Sequence, residues 1–111
     1  KHGNPAVRRR LAEIPSTPHE ILMMLAIDEN TEVRAALAWN VAANADVLAR
    51  LCLDKDVNVR LALTENHNLQ KELLELLAND DNPYVQHHAK RALEVVASQG
   101  KESTASRSIK P

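Results

Sequence analysis

Aspartates and arginines recur together along this sequence at a constant spacing. Each aspartate is followed six residues later by an arginine or, once, a glutamine: Asp28 and Arg34, Asp54 and Arg60, Asp80 and Gln86. A carboxylate near a guanidinium suits either acid–base catalysis or a bidentate ion pair. An active site needs a constellation that occurs once, whereas this pattern repeats. We therefore predict a structural ladder in which the arginines tie adjacent units together.

Histidine and cysteine are the other residues with chemical potential. The five histidines are His2, His19, His67, His87 and His88. His87 and His88 point about 100° apart on a helix and do not offer the i, i+4 spacing of a chelating pair, so we expect surface histidines, no metal ion and no cofactor. The single cysteine, Cys52, excludes an internal disulfide or a multi-cysteine cluster within this chain and favours a reducing, cytoplasmic setting.

An internal repeat with a constant period organises these positions. Val7-Arg8, Val33-Arg34 and Val59-Arg60 are 26 residues apart, and Val85-Gln86 follows at the same interval. Stacking the chain at this period aligns further columns of leucines, among them Leu22, Leu48, Leu74 and Leu25, Leu51, Leu77. Cys52 shares a column with Ala26 and Ala78, which predicts a small, buried position. Such self-similarity is the signature of a repeat architecture.

Each repeat has the pattern of two short helices. Asn4, Asn30, Asp56 and Asn82 share a column and predict N-caps, and Pro5 and Pro83 follow at the first helical position. The other helix of each pair is predicted to open with a capping box, Thr17 to Glu20 in the first copy. Because the connections are only a few residues long, consecutive helices fold back on each other. We predict an all-α solenoid of helical hairpins.

The repeats define one domain and a tail. The domain covers 4–98, with a partial unit at 4–13 and further units at 14–40, 41–66 and 67–98. The last helix is expected to reach about Ser98, with Gly100 as its stop. The segment 99–111 is polar, rich in serine and without periodicity, and is predicted to be a disordered tail.

The repeat resembles a known family. The segments 15–28 (PSTPHEILMMLAID) and 33–40 (VRAALAWN) carry the likeness to the leucine-rich repeat variant family, which is also described as HEAT-like. The resemblance covers about residues 4–97 and implies a right-handed superhelix of short paired helices. Some members of the family carry an iron–sulfur segment before the repeats, for which this chain lacks the cysteines. Gln86 departs from the arginine column, and residues 41–44 lack the Thr-Pro.

Charge and hydropathy argue against two classes of protein, those that bind nucleic acid along the repeats and those that span a membrane. The net charge is −1. Residues 11–89 hold five basic and thirteen acidic residues, while Arg8, Arg9 and Arg10 cluster at one end. An acidic body disfavours a groove that follows nucleic-acid phosphates. No apolar stretch approaches the roughly 20 residues of a membrane-spanning helix.

Residues that differ in type from the equivalent residues of the other repeats are the candidate contacts with a partner. Trp39 shares a column with Glu13, Glu65 and Arg91, which predicts an exposed tryptophan, a residue type enriched in binding hot spots. The full set of candidate partner-binding residues is Trp39, Tyr84, Met23, Arg9, Arg10 and His87.

The functional hypothesis is a non-enzymatic, monomeric scaffold that binds another protein or peptide. Two alternatives stay open: nucleic-acid binding through the terminal arginine cluster, and an accessory repeat segment of a larger, possibly iron–sulfur, protein.

Overall fold

The computed structural model of the protein describes the backbone of residues 3–109 and the side chains of residues 3–98. Within this part the chain is all-α, with seven helices and no strand. The helices are α1 (Pro5–Glu13), α2 (His19–Leu25), α3 (Thr31–Ala38), α4 (Ala45–Cys52), α5 (Val57–Leu63), α6 (Lys71–Leu77) and α7 (Pro83–Ile109). The first six are too short to be stable in isolation, so packing must hold them.

Asparagine or aspartate begins each odd-numbered helix, as the cap column predicts. The capping side chains are Asn4, Asn30, Asp56 and Asn82. Asn30 is representative: its side-chain oxygen accepts hydrogen bonds from the backbone N–H groups of Glu32 and Val33 at 2.8 and 3.2 Å. These bonds satisfy donors that a helix start otherwise leaves without a partner. The predicted starts of these helices are confirmed.

The even-numbered helices begin differently from the prediction in one respect. Helix α2 has no side-chain cap, so the predicted capping box of Thr17 is wrong. The Thr17 hydroxyl instead donates to the carbonyl of Leu11 at 2.7 Å and is buried. The equivalent positions in the next two copies, Ala43 and Leu69, are also buried. The column therefore faces inward, where a hydroxyl cannot reach the first turn of α2.

The helices form two layers. The odd-numbered helices α1, α3, α5 and α7 pack side by side in sequence order. Helix α2 packs on α1 and α3, α4 packs on α3 and α5, and α6 packs on α4 and α7. We call these the odd layer and the even layer. The chain crosses from one layer to the other at every turn up to Pro83.

An aliphatic core fills the space between the layers. Its largest fully buried side chains are Leu25, Leu37, Leu48, Leu51, Leu63, Leu77, Val33, Val47, Val59 and Val85. They come from repeating columns of both layers. The two leucine columns that the sequence aligns are buried in every copy: Leu22, Leu48, Leu74 and Leu25, Leu51, Leu77. Each buried valine or leucine contributes roughly 1.5–3 kcal/mol. Side-chain burial across the two layers thus supplies what helices of seven to nine residues lack.

Helix α7 runs past the point where its predecessors end. Asn40 and Asn66 lie in the turns that follow α3 and α5, whereas Ala92 occupies the equivalent position and lies within α7. Alanine favours helix and offers no side-chain amide to fix a turn. The helix also passes Gly100, where the sequence predicted its end. The segment 99–111 lies outside the described side chains, and its disorder stays a prediction.

Candidate functional site

Three arginines of the odd layer bind three aspartates at the turns that lead into the next odd helix. Arg34 donates from Nε and Nη2 to the carboxylate of Asp54 at 2.7 and 3.3 Å. Its Nη1 donates to the carbonyl of Asp28 at 2.6 Å. One guanidinium thus joins the turn of its own hairpin to the turn of the next. Each arginine pairs with the carboxylate of the following turn, while the aspartate of its own turn contributes only its carbonyl.

The same geometry recurs along the molecule. Arg60 binds the Asp80 carboxylate at 2.7 and 3.3 Å and the Asp54 carbonyl at 2.6 Å. Arg8 binds the Asp28 carboxylate at 2.7 and 3.2 Å. The carbonyl for Arg8 comes from Gly3, at 2.8 Å, whose φ of 83° favours glycine. We call this set of three pairs the Arg–Asp seam.

The seam is buried and its hydrogen bonds are mutually satisfied. The Arg34 and Asp54 side chains are each 7% exposed. Asp54 also accepts a bond from the backbone N–H of Asp56 at 2.9 Å, and Asp28 and Asp80 accept equivalent bonds. The hydrogen bonds that Arg8 donates to the Asp28 carboxylate raise the pKa of Arg8, against the opposing effect of burial. Carboxylates held in this way support the fold and offer no base to a substrate.

Gln86 ends the seam. Its side-chain Nε2 donates to the carbonyl of Asp80, the bond that Arg34 and Arg60 make through Nη1. At the next position of the seam, where an arginine would need a carboxylate, the sequence has Ser106. A neutral amide keeps the carbonyl bond and leaves no buried charge without a partner. The departure of Gln86 from its column therefore has a physical reason.

A second seam lies at the opposite ends of the odd helices, and the sequence analysis missed it. Asn40 donates from Nδ2 to the carbonyls of Ala12 and Ile14 at 2.9 and 3.1 Å. Asn66 donates to the carbonyl of Ala38 at 2.7 Å. Both asparagines are buried. We call them the Asn seam; their separation by one full repeat was the signal that could have revealed it.

Trp39 stands exposed on the odd layer between two grooves. Its side chain is 60% exposed, as its column predicts. A groove of about 570 Å³ runs toward α1 and is lined by Arg9, Glu13, Glu32, Ala35, Ala36 and Trp39. A groove of about 600 Å³ runs toward α7, where Leu69, His88, Arg91 and Val95 are among its lining residues. Trp39 forms a wall of both, so the two grooves adjoin.

The structure brings some of the candidate contacts together and separates others. Arg9 lines the same groove as Trp39. Its Nε lies 3.5 Å from Oε2 of Glu13, and its Nη1 lies 3.7 Å from Oε1 of Glu32. Arg10 and Arg9 share a further cleft of about 350 Å³ beside Pro5 and Ala6. Tyr84 is exposed at the start of α7 and lines none of these grooves.

Met23 and His87 also lie away from Trp39. Met23 is half-buried and packs against the core, whereas its neighbour Met24 is exposed. The exposed ring of His87 meets the edge of the His88 ring, with 5.8 Å between centroids. His88 and His67 line the groove toward α7. Across the part of the chain that is described, no group of three or more potential ligands could hold a metal ion; His2 lies outside it.

Cys52 is a buried free thiol in the core, as its column predicts. Burial, followed by the negative charge of Asp80, raises the pKa of Cys52 to about 11. The thiolate is the reactive form of cysteine, and its population at neutral pH falls as the pKa rises. Cys52 is therefore a packing residue and not a candidate nucleophile.

Among the helices that the structure describes, none has both the length and the apolar content needed to cross a membrane. No family model, no curated protein and no solved structure matches this chain.

Proposed function

We propose that the chain is a non-enzymatic scaffold that binds another protein or peptide on its odd layer. The observation that carries the proposal is Trp39, which is 60% exposed between two adjoining grooves. Tryptophan is one of the residue types enriched at the energetic centres of interfaces. The proposed architecture is a right-handed solenoid of 26-residue hairpins of the leucine-rich repeat variant, HEAT-like kind.

Recurrence of bonded contacts supports the solenoid. Arg8, Arg34 and Arg60 each bind the aspartate of the following turn, and their Nε–Oδ2 distances are all 2.7 Å. In a solenoid each unit contacts its neighbours through equivalent residues, and stability accumulates from these repeated interfaces. Equal distances at three positions are what such stacking produces.

Rigidity supports the binding role of this surface. The walls of the grooves rise from helices whose inner faces are buried and whose turns are tied by the two seams. A surface that is ordered before binding loses little conformational entropy when a partner docks. Ala35 and Ala36 give the groove toward α1 a low floor, against which a partner's apolar side chain can lie beside Trp39.

Charge at the terminal arginine cluster favours a protein over a nucleic acid. Arg8 is engaged with Asp28, and Arg9 lies near Glu13 and Glu32. A phosphate approaching Arg9 would meet both carboxylates. The mixed charge suits a partner with its own polar and charged side chains. A monomeric state and a reducing, cytoplasmic setting belong to the same proposal, supported by the buried free thiol of Cys52.

Affinity capture with the intact chain tests the proposal. The bait is compared with Trp39→Ala, and each captured protein is then purified and titrated directly. Truncation of a hot-spot tryptophan typically costs about 2 kcal/mol or more, so we expect at least tenfold weaker binding. Because Trp39 is mostly exposed, the thermal midpoint should change little.

Val41→Ala is the matched control, because it shortens an exposed apolar side chain that lines neither of the Trp39 grooves. Partners of the odd layer should bind this variant as they bind the wild type. Tyr84→Ala then shows whether the surface extends to the start of α7. A Trp39→Ala chain that keeps every partner at unchanged affinity would overturn the proposal.

A further inference from the structure

The outer face of the even layer carries two rows of exposed residues. On each even helix, positions i and i+4 lie on one side, and the residue at i+7 is exposed in the turn that follows. These residues are Glu20, Met24 and Ile27 for α2; Asp46, Arg50 and Leu53 for α4; and Glu72, Leu76 and Asn79 for α6. A row of carboxylates therefore runs along the amino ends of the helices, and a mainly apolar row runs along their carboxyl ends. We call this the two-row surface.

The Arg–Asp seam fixes the turns that carry part of the apolar row. The Arg34 guanidinium binds the carbonyl of Asp28 at 2.6 Å and the carboxylate of Asp54 at 2.7 Å. Ile27 and Leu53 directly precede these two aspartates in the chain, so the bonds of one guanidinium fix the backbone next to both residues. Arg60 repeats the connection from Asp54 to Asp80 and extends the row to Asn79.

The apolar row is more exposed than core packing would leave it. Ile27 is 65% exposed and Leu53 is 77% exposed, while Met24 and Leu76 are about half exposed. Single exposed apolar residues are common on protein surfaces, whereas several on one face favour an interaction site. The four apolar residues come from all three even helices and their turns, with Arg50 and Asn79 at the two remaining positions of the row.

Charge determines which partner fits. Within the described side chains, no cation lies within 4.0 Å of Glu20, Asp46 or Glu72 in an ion pair. The even helices with their following turns, 19–30, 45–56 and 71–82, contain ten acidic and three basic residues. Only three of the acids are paired in the seam. The odd layer up to Ser98 has four basic and four acidic residues outside the seam, so the excess of negative charge belongs to the even layer.

We propose that the two-row surface binds a basic amphipathic helix. The residues at i+7 lie just past the helix ends, about 10 Å from the carboxylate row at 1.5 Å per residue, which matches the diameter of an α-helix. Consecutive hairpins pack through their odd helices, and packed helices lie about 8–10 Å apart, so three equivalent positions of the even layer extend over about 20 Å, the length of roughly 14 helical residues. An apolar stripe on such a partner packs on Met24, Ile27, Leu53 and Leu76, while lysines or arginines flanking the stripe reach the carboxylates. This surface is separate from the Trp39 grooves and adds a second partner class.

A designed peptide tests this surface directly. The probe is a labelled peptide of about 14 residues with leucines on one helical face and lysines flanking them, titrated with the intact chain and followed by fluorescence anisotropy. A scrambled peptide of the same composition should bind at least tenfold more weakly, because it has no apolar stripe. Leu53→Ser should weaken binding of the probe at least tenfold without changing the thermal midpoint.

Two triple variants separate a positioned row from a general acidic surface. Glu20→Gln/Asp46→Asn/Glu72→Gln removes the carboxylate row and should weaken binding at least tenfold and reduce its salt dependence. Glu13→Gln/Glu32→Gln/Glu65→Gln removes as many carboxylates from the odd layer and should leave binding within twofold of wild type.

Several results would overturn the proposal: equal affinity for the scrambled peptide, equal losses from the two triple variants, or equal binding of a peptide with glutamates in place of lysines. Self-association of the chain that Leu53→Ser abolishes would assign the surface to a second copy. Loss of probe binding in Trp39→Ala would move the site to the odd layer. Failure of the Trp39 proposal alone leaves these outcomes unaffected.

Discussion

The two seams do the same work at opposite ends of the odd helices with different chemistry. In the Arg–Asp seam a guanidinium bridges consecutive hairpins, as Arg34 does between Asp28 and Asp54. In the Asn seam a neutral amide bridges them, as Asn66 does by donating to Ala38 at 2.7 Å. Both kinds of bridge are buried and short. They differ in the group that is left unpaired when one partner is removed: a buried charge in the Arg–Asp seam and a neutral polar group in the Asn seam.

That difference explains how each seam ends. The Arg–Asp seam passes through each turn that leads from an even helix into an odd helix, and it stops at Gln86, which keeps a hydrogen bond but carries no charge. The Asn seam is replaced by Ile14 at one end and Ala92 at the other, where α7 continues without a turn. A buried charge without a partner is strongly destabilising. A buried amide can be replaced at lower cost where the backbone no longer forms the turn that the amide would bond.

Breaking the charged seam should have the largest effect. Asp54→Ala leaves the Arg34 guanidinium buried with only the Asp28 carbonyl and the distant Thr31 hydroxyl as partners. Removing one member of a buried ion pair costs about 3–5 kcal/mol. We expect a loss of that size in the free energy of unfolding, measured by urea denaturation of the full chain, with a fall of more than about 10 °C in the thermal midpoint.

Asp81→Ala is the matched control, since Asp81 is exposed and makes no ion pair with another described side chain. Its effect should stay within about 0.5 kcal/mol. Adding Arg34→Met to Asp54→Ala removes the unpartnered charge, and the double-mutant cycle should give a coupling energy of about 2 kcal/mol. Equal stability of the Asp54→Ala and Asp81→Ala chains would mean that the seam does not contribute as its geometry indicates.

Cutting the neutral seam should cost less. Asn66→Ala removes the bond to the Ala38 carbonyl and the one that Asn66 accepts from the Asn68 N–H at 2.8 Å. A buried carbonyl and N–H left without partners cost about 1–3 kcal/mol, with no charge to compensate. Urea denaturation should therefore place Asn66→Ala between Asp54→Ala and wild type.

Asn58→Ala provides the reference for this measurement, because Asn58 is exposed on α5 and alanine suits a helix. The comparison between the seams is contradicted if Asn66→Ala destabilises the chain as much as Asp54→Ala does.

The two seams also show which features of the structure can be predicted from the sequence. Recurrence at the repeat period identifies Arg34 and Asp54 as ladder residues, because both columns repeat. It leaves open which copy of the aspartate column each arginine meets, since a periodic pattern does not distinguish one copy from the next. Cap residues predicted the odd helix starts, because N-capping depends on local sequence alone.

What depends on packing was less predictable. Thr17 reads as a cap locally, and only the burial of its column assigns its hydroxyl to Leu11. The exposure of Trp39 followed from its charged column, but the grooves on either side depend on the sizes of side chains from several helices, such as Ala36 and Leu69. A one-dimensional pattern contains no such distances.

The smallest expected effect is the influence of the charged seam on the core. Burial and the charge of Asp80 raise the pKa of Cys52 to about 11, whereas an unfolded chain ionises a thiol near about pH 8.5. Between these values the unfolded chain has lost a proton that the folded chain keeps. The contribution of Cys52 to the free energy of unfolding is therefore present below about pH 8.5 and decreases as the pH rises toward 11.

Wild type should consequently lose more stability than Cys52→Ala between pH 7.5 and pH 10 in urea denaturation, and alanine fits because Ala26 and Ala78 occupy equivalent positions. Alkylation of the native thiol by iodoacetamide isolates the part played by the seam. Asp80→Asn removes the nearby negative charge and should shift the pH profile of alkylation downward, whereas Asn66→Ala removes no charge and should leave it in place. Equal shifts in both variants would show that Cys52 responds to loosened packing and not to the charge of Asp80, and the two seams would then differ only in strength.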